Sequence, residues 1–483
     1  MLFNSLFFII FLAVFLLLWN MVKKHTGLRL YLIFVFSCVF YGWWDWRFLF
    51  LIFFTGTVDF FLAQGIAKCL AWENEKAGKR AAAFLLFLSV ATGLGTLSIF
   101  KYSGFFAEEI SYLLGLAGIR LDLKSRIPEF CLILPVGISF YTFQSLSYTI
   151  DIYRKMLAPT KSWIHYMAYL MLFPQLVAGP IVRAVDLLHK LLLPPATSPM
   201  IRYNAVKLIA LGYFKKCFLA DNAAGIVDMA FSQSHVYTGS STWFLVMILF
   251  SIQIYCDFSG YSDIARGIIK FMGYRFNLNF NHPYAAHSLQ DFWSRWHMSL
   301  SGYFRDYVYI PMGGNRKGKV RTCFNLFVTF LLSGLWHGAA LNFVFWGAYH
   351  GILQVVEKVT SLNKFLSGRN SLVLKVIFTA VTQLEVLAGW VFFRAANWNE
   401  AIYVISKMFT FSSEQTKFKP VASPALLIIV FLAMEIILLT RAEEKLMHKW
   451  KFLRSWEPVA AGLLILLTVL YRGEGYGFIY FQF

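Results

Sequence analysis

Residues 321–340 read RTCFNLFVTFLLSGLWHGAA, and this stretch is typical of a membrane helix. It contains no Asp, Glu or Lys, and Arg321 at its start is its one arginine. At about 1.5 Å per helical residue, Arg321 and His337 are about 24 Å apart along a continuous helix. If Arg321 marks one membrane surface, His337 lies beyond the midplane of a hydrocarbon core about 30 Å thick. The sequence therefore predicts an ionisable group deep inside an apolar span.

The composition extends this prediction to the whole chain. Hydrophobic residues occupy 58% of the 483 positions and charged residues 14%, whereas soluble domains have about 45–50% and about 25%. The net charge of +19 comes largely from short connections between apolar runs, which indicates the positive-inside bias and contact with membrane lipids rather than nucleic acid. The six cysteines form no CxxC pair, so neither a disulfide framework nor a metal site is predicted.

We therefore expect a polytopic, all-α integral membrane protein in one domain, residues 1–483, with about ten to thirteen membrane segments, some of them re-entrant or interfacial. The N-terminus is expected to be a first membrane helix, because it lacks the features of a removed signal peptide. The apolar runs lie near 4–21, 29–45, 47–66, 81–100, 129–150, 163–181, 203–220, 242–264, 323–338, 340–357, 372–393, 424–440 and 457–471.

The region 282–322 differs from the apolar runs because it mixes histidines, acids and arginines with Trp and Tyr. Such a mixture predicts an interfacial or re-entrant segment that ends in a turn at Pro311, Gly313 and Gly314. Within it, Asp291 and Arg295 are four residues apart, which favours an ion pair on one helix face.

Ionisable residues inside apolar spans are functional candidates because their burial is costly. A neutral imidazole at His337 has the property that a general base needs, but a hydrogen-bonded structural histidine is an equal alternative. Gly334 and Gly338 form a GxxxG, as do Gly347 and Gly351, which predicts close helix packing. His350, which precedes Gly351, is more often structural than catalytic in such a position.

Two further segments carry candidate groups. His297 lies in DFWSRWHMSL at 291–300, where Trp293 and Trp296 suit either a substrate platform or interfacial anchors. Asp257 and Tyr261 lie four apart in YCDFSGYSDIA at 255–265, so they are placed to hydrogen-bond across one helical turn. A charge relay and a structural polar network are both compatible with this spacing.

Taken together, these motifs resemble the membrane-bound O-acyltransferase family, most closely its bacterial alginate O-acetyltransferase branch. The resemblance is carried by the two segments just quoted, by RDYVYIPMGGN at 305–315 and by LWHGAA at 335–340. PVGISFYTFQ at 135–144 and the terminal FIYFQF at 478–483 extend it over nearly the whole chain. The most specific block is 255–351. One departure is the segment 276–283, which lacks the proline expected near 277.

The resemblance implies a helical fold around a central tunnel in which a cytoplasmic donor meets an acceptor from the other face. It implies that His337 is the general base that deprotonates an acceptor hydroxyl, and that His297 is the second active-site residue. The residues expected to line the substrate site or the tunnel are Asp257, Tyr261, Trp293, Arg295, Trp296, Arg305, Trp336 and Asn342. The residues expected to steer a phosphate-bearing donor, or alternatively to set topology alone, are Arg316, Lys317 and Arg321.

The function that this resemblance implies is transfer of an acetyl group for O-acetylation of an exported or cell-envelope polysaccharide at the bacterial inner membrane. Acetyl-CoA or another acyl thioester is the expected co-substrate, no bound cofactor or metal is expected, and a periplasmic acetyltransferase or esterase-like partner is expected to complete transfer. Two alternatives on the same fold are D-alanyl transfer to teichoic acid and peptidoglycan O-acetylation. A transporter is the alternative from another class, since buried acids and histidines also line proton paths.

Overall fold

The computed structural model describes residues 1–177, 179–368, 371–410, 423–440 and 453–479. These residues form helices, turns and loops and contain no β-strand, which confirms the all-helical prediction for the part of the chain described. They fall into two compact units, Met1–Val206 with Ala265–Asn277 and Lys207–Ile264 with Leu278–Phe483. The prediction of a single domain stays a prediction.

The first unit is built from ten helices in the described residues, of which the longest are the apolar α2, α3 and α4. In chain order they are α1 Leu6–Val22, α2 Thr26–Asp45, α3 Leu49–Cys69, α4 Glu75–Leu97, α5 Ser103–Leu116, α6 Glu129–Leu132, α7 Ile138–Tyr153, α8 Trp163–Leu170, α9 Phe173–Leu176 and α10 Ala184–Leu187. Two more helices, α11 Pro199–Tyr213 and α13 Ser240–Met272, each contribute residues to both units.

Both candidate histidines lie in the second unit, His297 between two of its helices and His337 at the end of another. The helices of this unit in the described residues are α12 Asp221–Ser232, α14 Leu289–Arg295, α15 Met298–Phe304, α16 Gly318–His337, α17 Leu341–Thr360, α18 Leu362–Ser367, α19 Leu372–Arg394, α20 Trp398–Met408, α21 Pro424–Thr440 and α22 Leu453–Leu470. Two π-helical segments, Phe214–Ala220 and Arg305–Tyr309, interrupt the regular helices of this unit.

Within the described residues, four helical stretches are long and apolar enough to cross a membrane: Thr26–Cys69, Glu75–Leu116, Ser240–Met272 and Leu372–Arg394. Shorter apolar helices occupy Leu6–Val22, Pro424–Thr440 and Glu457–Leu470. The chain is therefore a multi-pass membrane protein. The larger number of ten to thirteen segments stays a prediction.

Two of the predicted apolar runs are interrupted in the structure. The run 129–150 is split by a turn at Gly137, which has φ +76° and starts α7. A Cβ at this glycine would lie 2.4 Å from the carbonyl oxygen of Leu176, so only glycine fits the close approach. The run 163–181 is divided into α8 and α9, and residues 165–170 of α8 and all four residues of α9 are buried. Most of these residues are apolar because they form protein interior.

A buried arginine of the first unit binds backbone carbonyls. The guanidinium of Arg29, 1% exposed, donates to the carbonyls of Lys23, Leu191 and Leu193 at 2.8–3.1 Å. Unpaired polar groups are costly in an apolar interior, so these bonds fix the position of the 189–193 segment.

The helical hairpin of α16 and α17 supports the candidate site. A Cβ on Gly334 would lie 2.2 Å from the Phe343 carbonyl oxygen, and one on Gly347 would lie 2.6 Å from that of Phe330. Gly351 packs in the same way against Phe327. The predicted role of these glycines in close helix packing is confirmed, and the pairing shows that the two helices run antiparallel.

Gly347→Ala tests this packing. The added methyl group would meet backbone atoms, which cannot move aside as a side chain can, so we expect the free energy of unfolding to fall by about 1–3 kcal/mol. Thermal unfolding of the purified protein in detergent measures the change. Gly95→Ala in α4 is the matched control, because nothing lies within 4 Å of a Cβ there. Equal melting temperatures for Gly347→Ala and the control would contradict the close approach of α16 and α17.

Candidate active site

His337 is the last residue of α16, at the point where the chain turns into α17. The helix is continuous from Gly318, as the depth argument from the sequence required. The imidazole is 4% exposed, and aromatic rings surround it. Its centroid lies 5.0 Å from Trp346, 5.1 Å from Trp336 and 5.4 Å from Phe393, edge-on in each case. These rings leave the imidazole few rotamers.

His297 occupies the tight turn between α14 and α15, where it has φ +41° and is 1% exposed. A left-handed conformation is unusual for a residue other than glycine and persists only where the surroundings hold it. Its ring lies edge-on to Phe258 at 4.6 Å and 6.1 Å from Trp336, the neighbour of His337 in the chain. The two candidate histidines therefore share one aromatic cluster, as the sequence prediction of a common site requires.

Asn279 holds the His297 turn by binding the first residues of α15. Its side-chain oxygen accepts from the backbone N–H of Ser299 at 3.2 Å and from the Ser299 hydroxyl at 2.8 Å, and its carbonyl accepts from the Met298 N–H at 2.9 Å. Its amide donates to the Ser262 hydroxyl at 3.3 Å. Sequence reasoning missed this residue. The one feature of the sequence that could have drawn attention to Asn279 is its position in the segment 276–283, which lacks the proline expected near 277.

Glu357 positions the helix that precedes His297. Its two carboxylate oxygens accept from the backbone N–H groups of Leu289 at 2.6 Å and Gln290 at 3.0 Å, at the first turn of α14. Negative charge at a helix N-terminus is stabilising because it complements the unpaired N–H groups there. Sequence reasoning missed Glu357 as well, since nothing in its local spacing relates it to residues 67 and 68 positions earlier.

His350 belongs to the same aromatic cluster. Its ring lies 4.9 Å from Trp346 and 5.1 Å from Trp293, and Trp346 also contacts His337. A Cβ at Gly389 would lie 2.5 Å from the His350 Nε2, so α19 packs directly on this ring. The contacts agree with the structural role that the sequence favoured for His350.

A cavity of about 350 Å³ borders His297. One face each of α15, α16 and α17 lines it, together with parts of α14 and of the π-helical segment 305–309. The lining residues are Gln290, Trp293, His297, Leu300, Ser301, Phe304, Arg305, Tyr309, Asn315, Leu326, Thr329, Phe330, Ser333, Gln354 and Lys358. Its volume lies within the range of about 300–1,000 Å³ that is usual for small-molecule sites.

The other predicted site residues have defined surroundings. Arg295 Nε donates to Asp291 at 2.7 Å, which confirms the expected i,i+4 ion pair. Trp296 is 1% exposed, so it packs in the interior and is not an interfacial anchor. Asn342 donates to the Ala395 carbonyl at 2.8 Å. The roles predicted for them in substrate binding stay predictions.

The two acidic residues of the 255–265 segment form buried ion pairs. Asp257 Oδ1 lies 2.9 Å from the Lys216 Nζ, and its Oδ2 accepts from the Ile479 N–H at 2.8 Å. Asp263 pairs with Lys215 at 2.8 Å. Tyr261 packs against the Phe478 ring at 5.2 Å.

The basic residues near the start of α16 differ in their surroundings. Arg305 forms an ion pair with Asp306 at 2.7 Å and borders the cavity. All three residues that were predicted to steer the donor are exposed: Arg316, Lys317 and Arg321. Among the described residues no group of three His, Cys, Asp or Glu side chains is arranged to hold a metal ion.

The sequence of this chain matches one family of membrane enzymes. The family model of the membrane-bound O-acyltransferases matches residues 39–367. The chain belongs to the membrane-bound O-acyltransferase family. Among its relatives, it is 37% identical over 412 residues to the probable alginate O-acetylase AlgI of Pseudomonas aeruginosa, covering 85% of this chain and 75% of the relative.

Two other relatives of this acyltransferase have names that refer to different polymers, peptidoglycan and teichoic acid. It is 32% identical to the peptidoglycan O-acetyltransferase of Helicobacter pylori, over 77% of this chain and 72% of the relative. It is 30% identical to the teichoic acid D-alanyltransferase of Bacillus subtilis, over 52% of this chain and 67% of the relative. The enzyme is thus an O-acyltransferase, which sets aside the transporter alternative.

Asn279→Ala tests how the His297 turn is held. Removal of the side chain leaves the Ser299 donors without their acceptor, so we expect a loss of about 1–3 kcal/mol in the free energy of unfolding. Displacement of His297 is expected to lower acyl-transfer turnover by about ten- to a hundredfold. Thermal unfolding and turnover of the purified enzyme measure both effects. Asn281→Ala is the control, because that side chain is exposed and the hydrogen bond to Arg295 comes from its backbone. Unchanged turnover in Asn279→Ala would contradict this role.

Proposed function

We propose that this enzyme moves an acetyl group from a thioester donor to a hydroxyl of an exported or cell-envelope polysaccharide. The observation that carries the proposal is the cavity whose lining joins His297 to a basic end. The two relatives that are named for O-acetylation support the acetyl group and the polymer acceptor.

The direction of the cavity follows from the helices that line it. Leu326, Thr329, Phe330 and Ser333 lie on one face of α16, and their spacing covers about 10 Å. His337 follows Ser333 by four residues and continues this face. Because α17 runs antiparallel, its Lys358 lies toward the start of α16, at the end of the cavity opposite His337.

The two ends suit the two ends of an activated thioester such as acetyl-CoA. Lys358 and Arg305 would bind phosphate at the basic end, and the exposed cluster of Arg316, Lys317 and Arg321 would raise the local concentration of an anionic donor. The thioester would then lie near His297 and Ser333. A carrier protein with a phosphate-linked thioester arm presents the same chemistry.

His337 would act as the general base and His297 as the second active-site residue. The imidazole of His337 takes the proton of the acceptor hydroxyl while the oxygen attacks the thioester carbonyl carbon. A carbon–oxygen bond forms, the carbon–sulfur bond breaks, and the departing sulfur takes up the proton from the imidazolium. His297, fixed at the cavity wall, is placed to hydrogen-bond the carbonyl oxygen as negative charge develops there.

The location and partners follow from the same proposal. We place the enzyme in the bacterial inner membrane, with ten to thirteen membrane segments around a tunnel that lets the cytoplasmic donor meet an acceptor from outside. A periplasmic acetyltransferase or esterase-like protein would pass the acetyl group to the polymer. D-alanyl transfer is the weaker alternative, because that relative matches only about half of this chain.

Replacement of the two histidines tests the catalytic assignment. We expect His337→Ala to lower acetyl transfer by about 10²–10⁴-fold, the usual contribution of a general base, and His297→Ala to lower it severely. The measurement is the acetyl content of envelope polysaccharide, by mass spectrometry, in a deletion strain that expresses each variant. Membrane insertion and melting temperature serve as controls for folding. Normal acetylation by folded His337→Ala would refute its role, and D-alanyl ester in place of acetyl would favour the alternative substrate.

Replacement of Lys358 tests the direction in which the donor enters. Loss of a phosphate-binding ammonium weakens ground-state and transition-state binding alike, so we expect Lys358→Gln to raise the KM for acetyl-CoA about tenfold with little change in kcat. Lys190→Gln, which changes an exposed lysine of the other unit, is the matched control. A lowered kcat with an unchanged KM in Lys358→Gln would contradict donor binding at this end.

A further inference from the structure

Lys216 is the centre of a buried polar cluster that lies outside the cavity. Its ammonium group, in the π-helical segment Phe214–Ala220, lies 2.8 Å from Asp221 Oδ1 and 2.9 Å from Asp257 Oδ1. It also donates to the Tyr476 carbonyl at 3.2 Å. π-Helical segments are rare and are frequent at functional sites. Here the segment turns a lysine toward two carboxylates and one backbone carbonyl.

Asp257 extends this cluster to the end of the described chain. While one of its oxygens binds Lys216, the other accepts the backbone N–H of Ile479. The segment 476–479 therefore has two attachments to the same ion pair, one through its carbonyl at Tyr476 and one through its N–H at Ile479. Both attachments use groups of the backbone, so the cluster holds the path of the chain.

Phe478, between these two attachments, packs beside the candidate active site. Its side chain is buried, and its ring lies 5.5 Å from Phe258 and 5.2 Å from Tyr261. Phe258 follows Asp257 on α13 and is the ring that lies edge-on to His297 at 4.6 Å. A continuous set of contacts thus leads from the ion pair through the C-terminal segment to the histidine.

We propose that Lys216 and Asp257 are positioning residues for His297, acting by fastening the segment 476–479 so that Phe478 holds Phe258 against the imidazole. The proposal rests on the proposed function of His297 in acyl transfer. A histidine in a left-handed turn needs packing on several sides, and Asn279 supplies one side only. Phe258, backed by Phe478, supplies another.

The neighbouring pair Lys215–Asp263 offers a matched control. Lys215 is as well buried as Lys216 and binds its carboxylate at 2.8 Å, but the described contacts of this pair include none with the segment 476–479. Removal of one partner from either buried pair leaves the other charge uncompensated, which is costly. Only the Lys216–Asp257 pair is expected to affect the position of the C-terminal segment.

The first arm of the test measures attachment of the segment without any acyl transfer. Ile479→Cys, in a protein whose six native cysteines are replaced by alanine, keeps the backbone N–H and the Phe478 ring. We expect Lys216→Met and Asp257→Asn to raise the rate at which a membrane-permeant maleimide labels this cysteine about tenfold, since a local opening exposes it. Lys215→Met is expected to leave the rate unchanged. The proposal would be overturned if the cysteine stayed protected from the maleimide in both Lys216→Met and Asp257→Asn, or if Lys215→Met raised its labelling rate as much as they do.

The second arm reads the His297 environment directly. Diethylpyrocarbonate modifies accessible imidazoles, and mass spectrometry of the peptide that contains His297 gives its rate. Ile479→Pro removes the N–H that Asp257 accepts and leaves the ion pair intact, so it is the mild variant if the others fold poorly. We expect the rate at His297 to rise about fivefold in Ile479→Pro and in Phe478→Ala, because both free the ring contact. An unchanged rate in both variants would overturn the positioning role.

The third arm connects positioning to turnover. In Ile479→Pro we expect kcat for acetyl transfer to fall about tenfold while the KM for acetyl-CoA and the melting temperature stay within about twofold and a few degrees of wild type. If kcat were unchanged in Ile479→Pro although the segment 476–479 had lost its attachment, the positioning role would be overturned. Failure of the proposed function would differ, because the wild-type protein itself would then lack acetyl transfer while the first two arms still report the attachment.

Discussion

The structure depends on one constraint: a polar group inside an apolar interior must find its partner within the protein. Arg29 satisfies it by binding three carbonyls, and Lys216 by binding two carboxylates and a carbonyl. Glu357 satisfies it by accepting the first N–H groups of α14. Each of these residues has at least one partner far away in the chain, so the same bonds that meet the constraint also determine which segments lie together.

The candidate site is a consequence of these bonds and of close helix packing. Gly334 and Gly347 let α16 and α17 approach until backbone meets backbone, which places His337 against Trp346. Asn279 holds the turn that carries His297. The two imidazoles are thereby set in one rigid aromatic cluster. Rigid placement matters for the proposed acyl transfer because the proposed thioester donor is already activated, so that much of the remaining acceleration comes from orientation and proton removal.

Local pattern predicted the class of the fold and the identity of the central residues, since apolar runs, glycine spacing and the LWHGAA motif are contiguous in the sequence. It failed where function depends on distant pairs. Nothing near Asn279 or Lys216 relates either residue to its partner in three dimensions. Apolar runs such as 163–181 also look alike whether they face lipid or protein, so the division into α8 and α9 was not foreseen. Residues 480–483 of the terminal motif lie outside the described residues.

The central claim is that one cavity leads a thioester donor from the basic end at Lys358 to His297, beside which His337 lies in the same aromatic cluster. An experimental structure of the enzyme in a lipid nanodisc, with a thioether analogue of acetyl-CoA that cannot transfer its acyl group, tests it most directly. The account predicts density along the faces of α15 and α16, with phosphate beside Lys358 and the sulfur near His297 and His337. Density for the analogue outside this cavity, or in it with the phosphate at the histidine end, would contradict the account.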